Sequence, residues 1–251
     1  AQAASVTDSA SAAASGFRGL VGMGDDLRKI DPSNRLLARQ SSFRLQAEFI
    51  RDGALAVSGL LRDEIGGVSV RPYQPEGYWR FLNFPTRTYT PSAGPGQYRR
   101  GLYTHWQRTL PHPSLLAFDA PSREFCTADR PISNTPQAAL VLLNDPTYVE
   151  AARALAETTL RDADAGADDD RRLHAMWRRV LSREPSAEER GLLASLLSAR
   201  RAAYRDDPDS ARRLLDVGDS PADPNLEPVE AAAWTAVARA LLNLDETITR
   251  D

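Results

Sequence analysis

The sequence predicts a mainly α-helical domain with a long irregular, Pro/Gly/aromatic-rich middle segment that leaves room for short strands. Apolar residues recur at steps of three and four in several stretches, and capping residues and prolines stand where those stretches begin. Both patterns lapse between Asp63 and about Ala120. Of 251 residues, 42% are hydrophobic and 26% charged, which is a globular balance. A chain of this length buries about 70% of its surface, in one large core or two small ones. Its longest unbroken apolar run, Ala138 to Leu143, is far short of the ~20 residues of a spanning helix.

Residues 1–26 are Ala/Ser/Gly-rich without periodicity and read as a lead-in or linker, with 27–251 as one helical domain. The first helix is expected from Ser42 to Leu61, with Phe43, Ala47, Ile50, Ala54, Val57 and Leu61 as its apolar stripe. Arg44, Glu48, Arg51 and Asp52 then fall on its outer face. Gly53 weakens that helix by ~1 kcal/mol relative to Ala, so a close packing contact is expected there. Thr135-Pro136 and Asp145-Pro146 each place a capping side chain before a proline at the first helical position. They open helices to Leu143 and to about Arg161, the second with Val149, Ala152, Leu155, Ala156 and Leu160 inward. Leu173, Met176, Trp177, Val180 and Leu181 mark another helix. Ser186-Ala187-Glu188-Glu189 is a capping box before Leu192, Leu193, Leu196 and Leu197. After a Pro/Asp-rich turn, Pro228 to about Ile248 makes the last helix, with Trp234, Val237, Ala238, Leu241, Leu242 and Leu244 as its stripe.

Lys+Arg is 31 against Asp+Glu 34, a net charge of −3 that argues against a general nucleic-acid binder. Lys29 is the sole lysine, a bias read as compositional rather than as an arginine recognition surface. The run Asp162 to Asp170 is a solvated acidic loop; no Glu closes it as a calcium loop requires. Cys126 is alone, so no internal disulfide forms and no Cys-x-x-Cys-His haem site exists. The start at Ala1 rather than Met is read as a processed or excised piece.

Several separated motifs carry a resemblance. Phe118-Asp119-Ala120-Pro121-Ser122-Arg123-Glu124-Phe125-Cys126, Asn134-Thr135-Pro136 and Leu142-Leu143-Asn144-Asp145-Pro146 form its centre. Asn34 to Arg39, Arg51 to Leu61, Arg99 to Tyr103, and Trp234 with Leu241 to Glu246 extend it. Together they resemble the planctomycete surface domain family, domain-of-unknown-function family fifteen-fifty-three, from about Leu27 to the C-terminus. One departure is visible: Ala138 stands where the family usually has Gln, beside Gln137. The resemblance implies an extracytoplasmic protein, and a longer parent chain carrying a cytochrome-c-like module and a second uncharacterised domain. It implies no activity.

No motif names a reaction or a cofactor. His105, His112 and Asp119 are metal-ligating types, but their spacing lies on no defined element, so no metal site is assigned. His174, beside the Trp177 stripe, reads as a partly buried structural histidine. Cys126 has no glycine elbow or helix start to expose a thiolate and reads as a buried small apolar group. Asp119, Glu124 and Asp129 are the weak candidates for a carboxylate pair acting on a glycoside. The plainer reading pairs them with Arg123 and Arg130 to fix the loop. Tyr103, His105, Trp106, His112, Arg123, Arg130 and Asn134 are the binding candidates. Tyr73, Tyr78, Trp79, Tyr98, Tyr103 and Trp106 suit a sugar platform or, by preference, the core under a loop-rich region. The leading expectation is thus an extracytoplasmic interaction or scaffold module docking on other protein modules. A polysaccharide-acting enzyme or binder using the 103–134 loop comes next, and an accessory to cytochrome electron transfer third.

Overall fold

The structure, a computed structural model, describes residues 27, 29–38, 40–82, 86–162 and 168–250. The lead-in at 1–26 and the centre of the acidic loop lie outside the described residues. The described residues fall into two compact units, 27–43 with 250, and 44–249. In the first, Asp31 Oδ2 accepts from Leu36 N at 2.8 Å and Asn34 Nδ2 donates to Ser41 Oγ at 3.2 Å, holding a run of turns.

The chain is mainly helical, as its periodicity predicts. Its elements are β1 (Phe43–Arg44), α1 (Ala47–Ser58), α2 (Pro113–Leu116), α3 (Pro136–Asn144) and α4 (Pro146–Arg161). Then follow α5 (Asp169–Leu181), α6 (Ala187–Asp206), α7 (Pro208–Leu215), α8 (Pro228–Leu242), α9 (Asp245–Ile248) and β2 (Thr249–Arg250). Among the described residues the sheet is the pairing of β1 with β2. Among the described residues between α1 and α2 stand three 3-10 turns and two isolated parallel bridges, Arg62 with Arg99 and Val70 with Thr104.

Caps explain most boundaries. Asp145 Oδ1 accepts from Thr147 N at 2.9 Å and starts α4. Ser186 and Glu189 bond reciprocally to start α6, at 3.2 and 2.7 Å. Glu227 accepts from both Val229 N and Glu230 N to start α8. Thr135, by contrast, makes no side-chain cap, so proline at the first position starts α3 unaided. The first helix is shorter than its stripe predicts: Gly59 at φ 81° ends it, and Phe43 lies in β1, exposed. No close contact meets Gly53, around which there is open space. The last helix breaks at Asn243, and α9 restarts beyond it. The Pro/Asp-rich turn holds α7, capped by Asp207 on Ser210 N at 3.1 Å.

In the second unit α8 packs on α4, α6 and α7, and α4 packs on α1. Ala151, Ala152 and Ala156 of α4 meet Ala233, Trp234, Val237 and Ala238 of α8 in one core. Small side chains there let the helix axes approach closely. Against expectation, Arg51 and Asp52 are buried. Arg51 donates to the Arg99 carbonyl at 2.6 Å and to the Gln97 carbonyl, while Asp52 Oδ1 accepts from Gly101 N at 2.5 Å. Arg99 in turn donates to the carbonyls of Val68 at 2.7 Å and Glu64 at 3.1 Å. The irregular segment lacks ladder partners for its carbonyls, and arginine forks supply them. A Cβ on Gly101 would stand 2.9 Å from the Glu48 backbone, so this segment touches α1 main chain to main chain.

Candidate functional site

The loop that the sequence marks is built around two acids and two arginines. After α2 the chain turns at Asp119, φ 59°, and again at Arg123, φ 61°, left-handed positions that Asp tolerates better than Arg. Asp119 closes the loop on itself: Oδ2 accepts from Ser133 N at 2.9 Å and Oδ1 from Ser133 Oγ at 2.7 Å. Arg44 pairs with the same carboxylate. Burial alone would raise the Asp119 carboxyl, but the Ser133 donors and the Arg44 guanidinium outweigh it and hold it below the usual carboxylate range. Arg130 forks onto Glu48 of α1, at 2.7 and 3.2 Å. The pairing thus differs from the expected one within the loop, because both ion pairs reach α1 or the residues before it. Arg123 lies over the Trp106 ring at 4.0 Å, and Trp106 Nε1 donates to the Ser122 carbonyl at 3.2 Å.

The other candidates are scattered among separate partners. Tyr103 hydroxyl accepts from Gly66 N at 2.7 Å, under the Arg99 guanidinium at 4.0 Å. His105 tilts against Trp79, and burial with nearby Arg71 and Arg87 lowers its pKa. Glu124, Asp129 and Asn134 are exposed. Cys126 is exposed, not the buried apolar group expected, in a segment whose residues 123–129 are all exposed. Ala138, at the family's Gln position, is buried in the core, while Gln137 faces solvent. His174 is half-buried and pairs with Glu184. Among the described residues no three His, Cys, Asp or Glu side chains gather as a metal site needs.

His112 is enclosed, with Nδ1 2.8 Å from Ser114 Oγ and Nε2 2.8 Å from the Tyr73 carbonyl. Burial, with the charge of Arg51, depresses its pKa to about 4. The unfolded chain, titrating near 6.5, therefore takes up a proton that the folded one refuses. Stability is expected to be intact above about pH 6.5 and to fall between there and about pH 4, by about 3 kcal/mol at most. Urea midpoints across that range measure it. A His112→Gln protein with an equally steep acid loss sinks the assignment.

A cleft that the sequence did not announce lies among α5, α6, α8 and α9. It encloses about 270 Å³ and is lined by Trp177, Leu192, Leu193, Leu241 and Leu244, with Arg183, Asp245 and Glu246 among its polar residues. Leu192 is 65% exposed at its edge. The signal for it was the doubled Leu192-Leu193 and Leu196-Leu197, an apolar arc wider than one packed stripe, in which Leu193 and Leu197 alone are fully buried. Arg183, between two helices, gave no signal.

The family model described as PSD1, protein of unknown function (DUF1553), matches residues 15–197. No curated protein and no solved structure matches this chain.

Proposed function

We propose that this chain, which belongs to the PSD1 family of proteins of unknown function (DUF1553), is an interaction module of a larger extracytoplasmic surface protein. Its docking face is formed by the start of α1 and the 102–133 segment. One observation supports this reading: in that region Asp119, Ser133 and Arg130 are engaged in bonds that fix the segment, while large apolar side chains project. Phe125 is 80% and Ile132 66% exposed, and Leu102, Leu116 and Phe49 are exposed as well. Three of them stand beside two anchoring points. Phe49 follows Glu48, against which Gly101 packs and to which Arg130 is forked; Leu116 and Ile132 flank the Asp119–Ser133 bonds. Large apolar side chains left at the surface mark protein interaction sites, and the ion pairs hold the segment that carries them in place.

The partner is one of the modules that family resemblance implies in the same parent chain, the cytochrome-c-like module or the second uncharacterised domain. A polysaccharide site draws less support. Asp119 is held by Arg44 and Ser133, and Arg123 lies over the Trp106 ring on which a sugar would stack.

Size-exclusion chromatography of the purified chain with each of those modules tests the reading. A complex is expected, weakened at least about tenfold in Phe125→Asp/Ile132→Asp, with the circular dichroism unchanged. Absence of a complex at about 100 µM, or one indifferent to both substitutions, overturns it.

A further inference from the structure

We propose that the cleft among α5, α6, α8 and α9 docks a basic polypeptide segment that inserts a single apolar side chain. The occupied surface shares no residue with the face around Phe125 and Ile132, so the two readings stand or fall separately.

Size comes first. At about 270 Å³ the cleft has room for one large apolar side chain of an inserted segment. Its floor is apolar, with Leu193, Leu241 and Trp177 nearly or fully buried, and Leu192 and Leu244 are exposed at its lip. An inserted Leu or Phe would cover both lip leucines.

Charge selects what flanks the anchor. Arg183 looks like an anion receptor, but its five N–H groups are already committed. Nε and Nη2 donate to Glu246, each at 2.7 Å. Nη1 and Nη2 donate to Glu189 at 2.9 and 2.7 Å, and Nη1 also to the Glu184 carbonyl at 3.1 Å. No donor remains for a carboxylate or phosphate. Glu189, Asp245 and Glu246 outnumber the one guanidinium in the lining, so the rim attracts Lys or Arg and repels an acidic segment.

Trp177 supplies the independent observation. Its ring lines the cleft, is 3% exposed, and lies 4.8 Å from the Arg183 guanidinium carbon. Its Nε1–H has no acceptor among the described residues. Buried donors are almost always satisfied, so this N–H is a sensitive reporter of any group that enters beside the ring. The walls are ready in advance: Glu189 closes the capping box of α6 while holding Arg183, so little ordering is left for binding.

The test uses two capped hexapeptides, acetyl-Lys-Arg-Leu-Phe-Arg-Lys-amide and acetyl-Glu-Asp-Leu-Phe-Asp-Glu-amide. Each is titrated into the nitrogen-15-labelled chain, and the indole N–H resonance of Trp177 is assigned by its loss in Trp177→Phe. The basic peptide is expected to move that resonance and to bind at least about tenfold more tightly than the acidic one. Leu192→Ser, at an exposed helix position, is expected to weaken it about fivefold or more with the melting temperature unchanged, and Asp245→Asn to weaken it by a smaller factor. The proposal is overturned if the Trp177 resonance is unmoved at about 1 mM basic peptide, or if the acidic peptide binds equally well. It is also overturned if Leu192→Ser binds like the parent, or if free indole moves the resonance where the peptide does not.

Discussion

Arg153→Met is expected to lower stability by about 3–5 kcal/mol, the cost of leaving a buried carboxylate without its cation. Arg153 is 2% exposed in the middle of α4 and donates to the carbonyls of Leu215 and Ser220. It also stands 3.7 Å from Glu150 and 3.8 Å from Glu157, one turn to either side. Methionine fills much of the volume, so the loss reports charge and hydrogen bonds rather than a cavity. Glu150 would remain, 1% exposed, accepting from Tyr98 hydroxyl at 2.7 Å, Ser220 N at 2.6 Å and Tyr73 hydroxyl at 3.1 Å. Burial, together with the same carboxylate, holds both tyrosines well above their ordinary pKa. Adding Glu150→Gln to Arg153→Met should recover part of the loss, since it removes the stranded charge. Urea unfolding of the two single variants and the double one makes the cycle. A midpoint drop below about 0.5 M for Arg153→Met would show that the ion network is dispensable.

Gly218→Ala is expected to cost about 2–5 kcal/mol, for two reasons that act together. Gly218 sits at φ 97°, which an L side chain adopts only under strain. Its added Cβ would also land on the Glu150 carboxyl group. That carboxyl cannot swing away, because it is buried and held by three donors. The alanine therefore either lifts the 216–223 segment off α4 or breaks the Glu150 bonds. A thermal midpoint within about 2 °C of the parent would refute this. Because Gly218 and Arg153 both act on Glu150, their combined loss should fall short of the sum.

The two variants touch a part of the molecule that reading along the chain does not reach. The stripe of α4 was legible, and Val149, Ala152, Leu155 and Ala156 are buried as it predicts. Glu150, Arg153 and Glu157 stand on the same helix as ordinary polar residues. Their burial depends on the 216–223 segment, more than sixty residues away, folding over them. Arg51 and Asp52 differ from expectation for the same reason. Helical periodicity assigns polar residues to solvent unless another segment covers them, and here the segment around Gln97 to Gly101 does. The missed α7 is a different case. Asp207-Pro208 repeats the pattern of Asp145-Pro146, but only Ala211 and Leu215 behind it are buried, too few to make a stripe. The break before α9 lacks both Gly and Pro, so nothing local marked it.

The candidate loop divides in the same way. Its acids and arginines were legible as a group that fixes local structure, since mixed Asp, Glu and Arg at short spacing invite ion pairs. Their partners were not. Asp119 meets Arg44 from 75 residues away, and Arg130 meets Glu48 from 82. Short-range charge patterning carries no information on contacts at that separation.

Sequence alone determined the helical class, the caps at Asp145 and Ser186, the inward leucines and alanines, and the family. All of these rest on residues within one or two helical turns of each other, where spacing and side-chain type decide the outcome. Tertiary structure decided which polar groups are buried, which leucines stay at the surface, and where a cleft opens. Those depend on which distant segment covers a given face, and that is settled by packing the whole chain.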